Sequence, residues 1–438
     1  MRRHIAALPY AIWLLVLISL VPWRKGVYYE GGADPVVVSK AVLQIVALLL
    51  AVLWARKTAG QRHALGVRSF LLVGLFLAIG TVGALQAGSI SASTVLSVRI
   101  ILLVATIGFV LSAAGGWDAL GTLLVSMGVV GLVIGASGIG LVLAGERLQG
   151  TVPEVPPNVI ALLCGAPALG ALHLLARGKG NPAVAAGAAA LVVAVAATGS
   201  RTGIVAGLVA LVVDLLYIRR PSPLLMGTLL TGIPALFAVI AFTPVLTGLI
   251  LRSDGGSIST LNSRTIAWQA VLSMPGDRWE RWIGAGLDVK TVSVEGQYWE
   301  SQVLDSSWIS ALAQAGVLGT AVLGILAIAT LAGALRRGVP GAGLIPAMLI
   351  FVLLRSFLEN GLTEASPALA LFLVLALMVE PAALAGAVPH RNTFRRAPLR
   401  GQSLRLQETG SGTPGRGSLA TLQGSSGQAP GQRMKAPR

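Results

Sequence analysis

Only one cysteine, Cys164, occurs in 438 residues, and the four histidines stand far apart at positions 4, 63, 173 and 390. A lone thiol forms no disulfide within the chain, so no such bridge braces a loop outside the membrane, even in an oxidising compartment. Scattered histidines without cysteine partners give none of the spacings of a metal site. The glycine-rich phosphate loops of nucleotide and dinucleotide proteins are missing too, which argues against a nucleotide-driven pump. Charge is scarce: 11% of the residues are charged against 55% hydrophobic, and the mean hydropathy is +0.80. An ordinary water-soluble globule carries roughly twice that share of charge. The chain is composed for a bilayer.

Runs of about 17 to 25 mostly apolar residues are long enough to cross the hydrocarbon core as helices, and the sequence holds about twelve. They fall near 8–23, 36–55, 69–88, 95–114, 120–144, 157–176, 182–197, 203–218, 224–250, 307–335, 341–358 and 367–385. The fold expected is all-α: a polytopic transmembrane bundle over residues 1–385, with one long polar interruption from Leu251 to Ser306. The first apolar run lacks a small-residue cleavage site and continues into Trp23-Arg24-Lys25, so it is expected to stay as a helix. From 386 to 438 the composition turns to Gly, Ser, Pro, Gln and Arg, with no aromatic residue after Phe394. That segment reads as a disordered basic tail, and its arginines would also be drawn to anionic headgroups.

A formal net charge of +16 first suggests a nucleic-acid partner, but the placement of the cations follows topology instead. With the N-terminus cytoplasmic, 21 of the 33 Lys and Arg residues fall on the inner face, and ten fall outside beside 13 carboxylates. This is the positive-inside bias. It places both termini in the cytoplasm and the segment 251–306 outside. Lys40 and Arg99 fall within spans, where cations face the bundle interior or snorkel.

Three outer arginines lie next to helix ends. Arg147 is in Glu146-Arg-Leu-Gln-Gly150, ahead of Pro153, Pro156, Pro157 and Asn158; Arg201 is in the tight turn Thr198-Gly-Ser-Arg201-Thr-Gly203; Arg264 precedes Trp268 at helical spacing in Ser263-Arg264-Thr-Ile-Ala-Trp268. Guanidinium presents a planar fork of N–H donors that matches phosphate oxygens, so the three together point to an anionic ligand. An arginine at a membrane boundary also pairs with lipid headgroups, and that reading stands for each of them. Asp305, in Asp305-Ser-Ser-Trp308, has two readings: cap of the helix that follows, or general base toward an incoming hydroxyl. Glu359 and Glu364 sit in a polar connection where they either orient an arginine or are simply solvated.

The ordered set resembles the O-antigen ligase and polymerase family of integral membrane glycosyltransferases. The likeness rests on the Arg147–Asn158 loop, Thr-Gly-Ser-Arg201-Thr-Gly, Ser-Arg264-Thr-Ile-Ala-Trp268, Gly284-Ala-Gly286, and Asp305-Ser-Ser-Trp308 running on to Gly316 and Gly319. It covers roughly residues 70–385. It implies an all-helical C-type glycosyltransferase fold in a bacterial cytoplasmic (inner) membrane. The implied reaction is inverting and metal-independent and calls for no cofactor. A glycan on polyprenyl (undecaprenyl) diphosphate is transferred to a saccharide or lipid-linked acceptor, in cell-envelope polysaccharide biosynthesis. Arg201 and Arg264, with Arg147, would bind the donor diphosphate; Asp305 would be catalytic; Glu359, Glu364 and Trp268 would support them. Where such ligases carry histidine in a His-Asn-Ser-Tyr-Leu-like segment, this chain has Asp305. The reaction class survives that change, and polymerisation of repeat units fits as well as ligation. Nucleic acid is not an expected partner; membrane lipids are.

Two other classes compete. A transporter or flippase of an anionic lipid or solute would use the same arginines on its cargo, though such sites usually lie near the midplane between broken helices or repeats. A non-catalytic scaffold would tolerate replacement of all of them.

Overall fold

The computed structural model describes residues 2–24, 34–58, 63–218, 257–294, 301–336 and 343–380. The expected span at 224–250, parts of the segment 251–306 and the tail 386–438 lie outside the described residues. What is described is almost wholly helical: α1 (Arg2–Leu20), α2 (Pro35–Lys57), α3 (Arg68–Ala87), α4 (Ile90–Ala114), α5 (Gly116–Ser137), α6 (Ile139–Leu143), α7 (Pro157–Ala176), α8 (Pro182–Ala197), α9 (Arg201–Tyr217), α10 (Ser257–Leu272), α11 (Trp279–Ile283), α12 (Ser307–Arg336), α13 (Leu344–Leu358) and α14 (Pro367–Val379). Strands β1 (Thr291–Ser293) and β2 (Ser301–Val303) pair antiparallel.

Six of these helices, α2, α3, α4, α5, α7 and α12, are long and apolar enough to cross a membrane. Large apolar side chains such as Leu71, Val133, Val193 and Ile328 stand exposed, as a lipid-facing surface requires and a water-facing one does not. This is a membrane protein. The helix starts are written in the sequence: proline opens α2, α7, α8 and α14, where its missing N–H costs nothing, and Asp34, Asn181, Ser200 and Ser366 each accept a backbone N–H in the first turn. The span expected over 120–144 divides at Gly138, a position where only glycine fits, since a Cβ there would meet the Gln149 carbonyl oxygen at 1.8 Å. The returning chain occupies that space.

One helix is broken in a way that matters for the site. Gly316 has φ 65° and ψ −167°, which divides α12 into two pieces. The segment 284–286 fills the break: Ala285 N donates to the Ala313 carbonyl at 2.9 Å and Gly286 N to that of Gln314 at 3.0 Å. Neither Gly284 nor Gly316 has room for a side chain, since a Cβ on either would come within 2.2 Å of the opposing backbone.

Side-chain and backbone contacts gather one set of loops at one end of the bundle: 88–89, 144–156, 198–200, 284–294, 301–306 and 359–366. The other end carries the α3 start against Glu380, and His173 against Asp214.

Candidate functional site

Arg264, on α10, is the hinge of the first end. Its Nε donates to Asp305 Oδ2 at 3.0 Å, and its Nη2 lies 4.0 Å from Glu359 Oε1. The Arg264 and Asp305 side chains are 26% and 41% exposed, so this pair is open to solvent and worth little as a static contact. The Glu359 side chain is more enclosed, 17% exposed, and its Oε1 accepts from Asn158 Nδ2 at 2.5 Å. Burial pushes the Glu359 carboxyl above its ordinary value, against the opposing charges of Arg355 and Arg264 and the Asn158 hydrogen bond.

The supports are rigid elements. Arg355, one turn before Glu359 on α13, donates through Nη2 to the Asn158 carbonyl at 2.6 Å and so joins α13 to the α7 start. Ser307, the first residue of α12, donates through Oγ to the Glu359 carbonyl at 2.9 Å and accepts from Leu362 N at 3.2 Å. Trp308 Nε1 donates to Ser356 Oγ at 2.9 Å. Asp305 and Glu359 are thereby fixed to the same helix junction, with Arg264 reaching both.

The capping reading of Asp305 does not match the local geometry. α12 begins at Ser307, the Ser306 carbonyl takes the first helical bond from Ser310 N at 2.8 Å, and the Asp305 carboxylate turns away to Arg264.

The other arginines stand differently. Arg147 gives Nε to the Thr198 carbonyl at 3.0 Å and Nη2 to that of Gly199 at 3.5 Å, bracing the turn that carries Arg201. Arg201 follows the cap residue Ser200 and is exposed at the first position of α9. Trp268 packs half-buried against a small cluster of Ala267, Val271, Leu304, Ile309 and Ala313, one turn from Arg264. Its buried Nε1 has no hydrogen-bond partner among the described residues. Thr265, Trp268, Gln269, Leu272 and Ser273 line an open hollow of about 540 Å³ on α10.

Glu364 belongs to a separate group. Its Oε2 accepts from Lys290 Nζ at 2.9 Å. Burial raises the Glu364 carboxyl, but the charges of Lys290, Arg99 and Lys40 outweigh it and hold the group below its ordinary value.

Sequence reading passed over Asn158 and Arg355 as site residues. A cation in an otherwise apolar helix was the available signal for Arg355, which proves to be 5% exposed. His173, one of the four histidines that stand apart in sequence, meets Asp214 in the core, its Nδ1 2.9 Å from the carboxylate. Residues 41 positions apart on two helices give no local signal. No protein-family model matches the chain, and no curated protein is significantly similar to it.

Proposed function

We propose that the chain is an inner-membrane glycosyltransferase of the O-antigen ligase or polymerase type. It crosses the bacterial cytoplasmic membrane about twelve times with both termini inside, a topology the positive-inside bias supports. It moves a glycan from polyprenyl diphosphate to a hydroxyl of a saccharide or lipid-linked acceptor on the external side. The observation that carries this reading is Arg264 held between two carboxylates, 3.0 Å from Asp305 and 4.0 Å from Glu359. A guanidinium so placed retains N–H donors for an anion, and an exposed ion pair opens cheaply.

In the reaction, the donor diphosphate draws Arg264 off Asp305, with Arg201 as a second cation and Arg147 holding the turn beneath it. The freed Asp305 carboxylate takes the proton from the acceptor hydroxyl as its oxygen attacks the anomeric carbon. The carbon–oxygen bond to the diphosphate breaks, the polyprenyl diphosphate leaves with the electron pair, and the fixed guanidiniums balance its charge. Inversion follows from single displacement. Glu359, Asn158 and Arg355 keep Arg264 within reach of both positions.

The test is turnover by the purified chain in nanodiscs with polyprenyl diphosphate-linked glycan and a panel of saccharide and lipid-linked acceptors. A glycan-acceptor product with release of polyprenyl diphosphate is expected, and its length separates single transfer from polymerisation. Movement of intact donor across the bilayer without such a product would make the chain a transporter. Topology is tested by cysteines at Ser257 and Ser411 under an impermeant thiol reagent on spheroplasts; Cys164 is buried and gives no background. Labelling is expected at position 257 and not at 411.

A further inference from the structure

The cations of α2 and α4 take no part in the transfer site, and their surroundings are unusual. α2 turns Val38, Val42, Ile45, Val46, Leu49 and Leu53 outward, and its buried stripe runs Lys40, Gln44, Ala47, Ala51 and Trp54 against α1 and α4. Aliphatic side chains are the expected filling of such a stripe. Its first two positions are instead polar, one turn apart on the same face, with Lys40 9% and Gln44 1% exposed. On α4, Arg99 Nη2 donates to the Ser19 carbonyl of α1 at 3.2 Å, while its buried Nε has no partner among the described residues. Both polar atoms of the Gln44 side chain are also buried without a partner among the described residues. Unfilled hydrogen-bonding groups in a membrane interior are costly unless something fills them.

The charge is unbalanced in the same place. Lys40 has its ammonium 5.7 Å from the centre of the Trp23 ring and makes no ion pair among the described residues. Lys40 and Arg99 act on each other and on Glu364, whose direct partner is already Lys290. Asp34 also acts on Lys40 but is itself paired with Arg24 at 3.5 Å, so among the described residues Lys40, Arg99, Lys290 and Arg24 share two carboxylates. Lys40 stands about 8 Å below the start of α2, within reach of headgroup depth.

We propose that Lys40, Arg99 and Gln44 form a second anion site, between α1, α2 and α4, that holds a phosphate group. The guanidinium Nε, the ammonium and the Gln44 amide N–H are the donors, and the Gln44 carbonyl accepts from a hydroxyl of the phosphorylated molecule. The phosphate comes either from a membrane phospholipid or from a soluble phosphorylated compound. The site does not depend on the transfer reaction.

Two arms distinguish the sources. Native mass spectrometry of the full chain in equal phosphatidylglycerol and phosphatidylcholine measures which lipid is retained; thermal unfolding in detergent with and without inorganic phosphate measures the soluble form. The wild type is expected to favour phosphatidylglycerol by about tenfold, or to be stabilised by phosphate; a tenfold preference is the weight of one charge-assisted hydrogen bond. The Lys40→Gln/Arg99→Gln double variant should lose that response. Gln44→Leu should weaken it with the charge unchanged, which a diffuse electrostatic attraction would not show. An unpaired buried charge is itself costly to the fold, so the variants are expected to fold, and Gln44→Leu decides if the double variant does not. A wild type without anion preference in either arm, or a Gln44→Leu response equal to wild type, overturns the proposal.

Discussion

Two carboxylates at one end of the bundle and two at the other are held in opposite ways. At one end, Glu380 is 7% exposed and both its oxygens are taken by backbone amides, Oε1 by Arg68 N and Oε2 by Ser69 N at 3.0 Å. It caps α3 and complements the positive end of that helix. Asp214 at that end is sealed against His173. At the other end, Asp305 and Glu359 share an arginine that fully satisfies neither, and Asp305 remains open to solvent. Committed acceptors stabilise a fold, whereas divided and exposed ones are available to a ligand.

That contrast is broken or sharpened by four substitutions. The largest effect is expected from Asp305→Asn: the first bond of α12 belongs to Ser306, so the fold and donor binding should persist while transfer falls about 10²- to 10⁴-fold, the usual loss for a general base. Turnover of lipid-linked donor beside a thermal melt checks this, and near-normal turnover would hand the role of base to Glu359. Next, Arg264→Lys and Arg201→Lys should each lower turnover about ten- to a hundredfold, because an ammonium lacks the fork that spans two oxygens. Wild-type rates in both, at matched expression, would remove the diphosphate clamp.

At the opposite end the readouts should exchange places. Glu380→Ala is expected to cost about 1–2 kcal/mol of stability through lost capping and to leave turnover per folded molecule unchanged; a changed rate would end the distinction between the two ends. The smallest effect concerns pH. Glu359 is raised in the folded chain, so the folded state binds the proton more tightly, and stability is full below the ordinary carboxylate value near 4.5 and falls as pH rises through the raised folded value. Glu359→Gln should flatten that decline in a melting-temperature series, and an unchanged slope would assign it to another group.

Much of this fold was legible because a bilayer imposes simple rules: apolar length gives the spans, and proline with Ser, Asn or Asp marks helix starts such as those of α8 and α14. Arg264 and Asp305 were singled out from sequence and do meet, 41 positions apart. Asp305 was harder to read, because an acidic residue before Ser306 satisfies the capping pattern whether or not it caps. Arg147 was read as a ligand-binding cation, yet it donates to two carbonyls of the Arg201 turn, a contact between loops 51 residues apart that local pattern cannot express. Asn158 escaped for the same reason: its partner Glu359 lies 201 residues away.

The break at Gly316 has a mechanical consequence. A helix without interruption transmits tilt along its whole length, and transmembrane helices tilt to match bilayers of different thickness. In α12, the nine residues from Ser307 to Ala315 are latched to the 284–286 segment, while the long remainder lies on the far side of the break. Because the Ala313 and Gln314 carbonyls are taken by that segment, the piece of α12 that follows Asp305 is joined to the 284–286 backbone as well as to the remainder of its own helix.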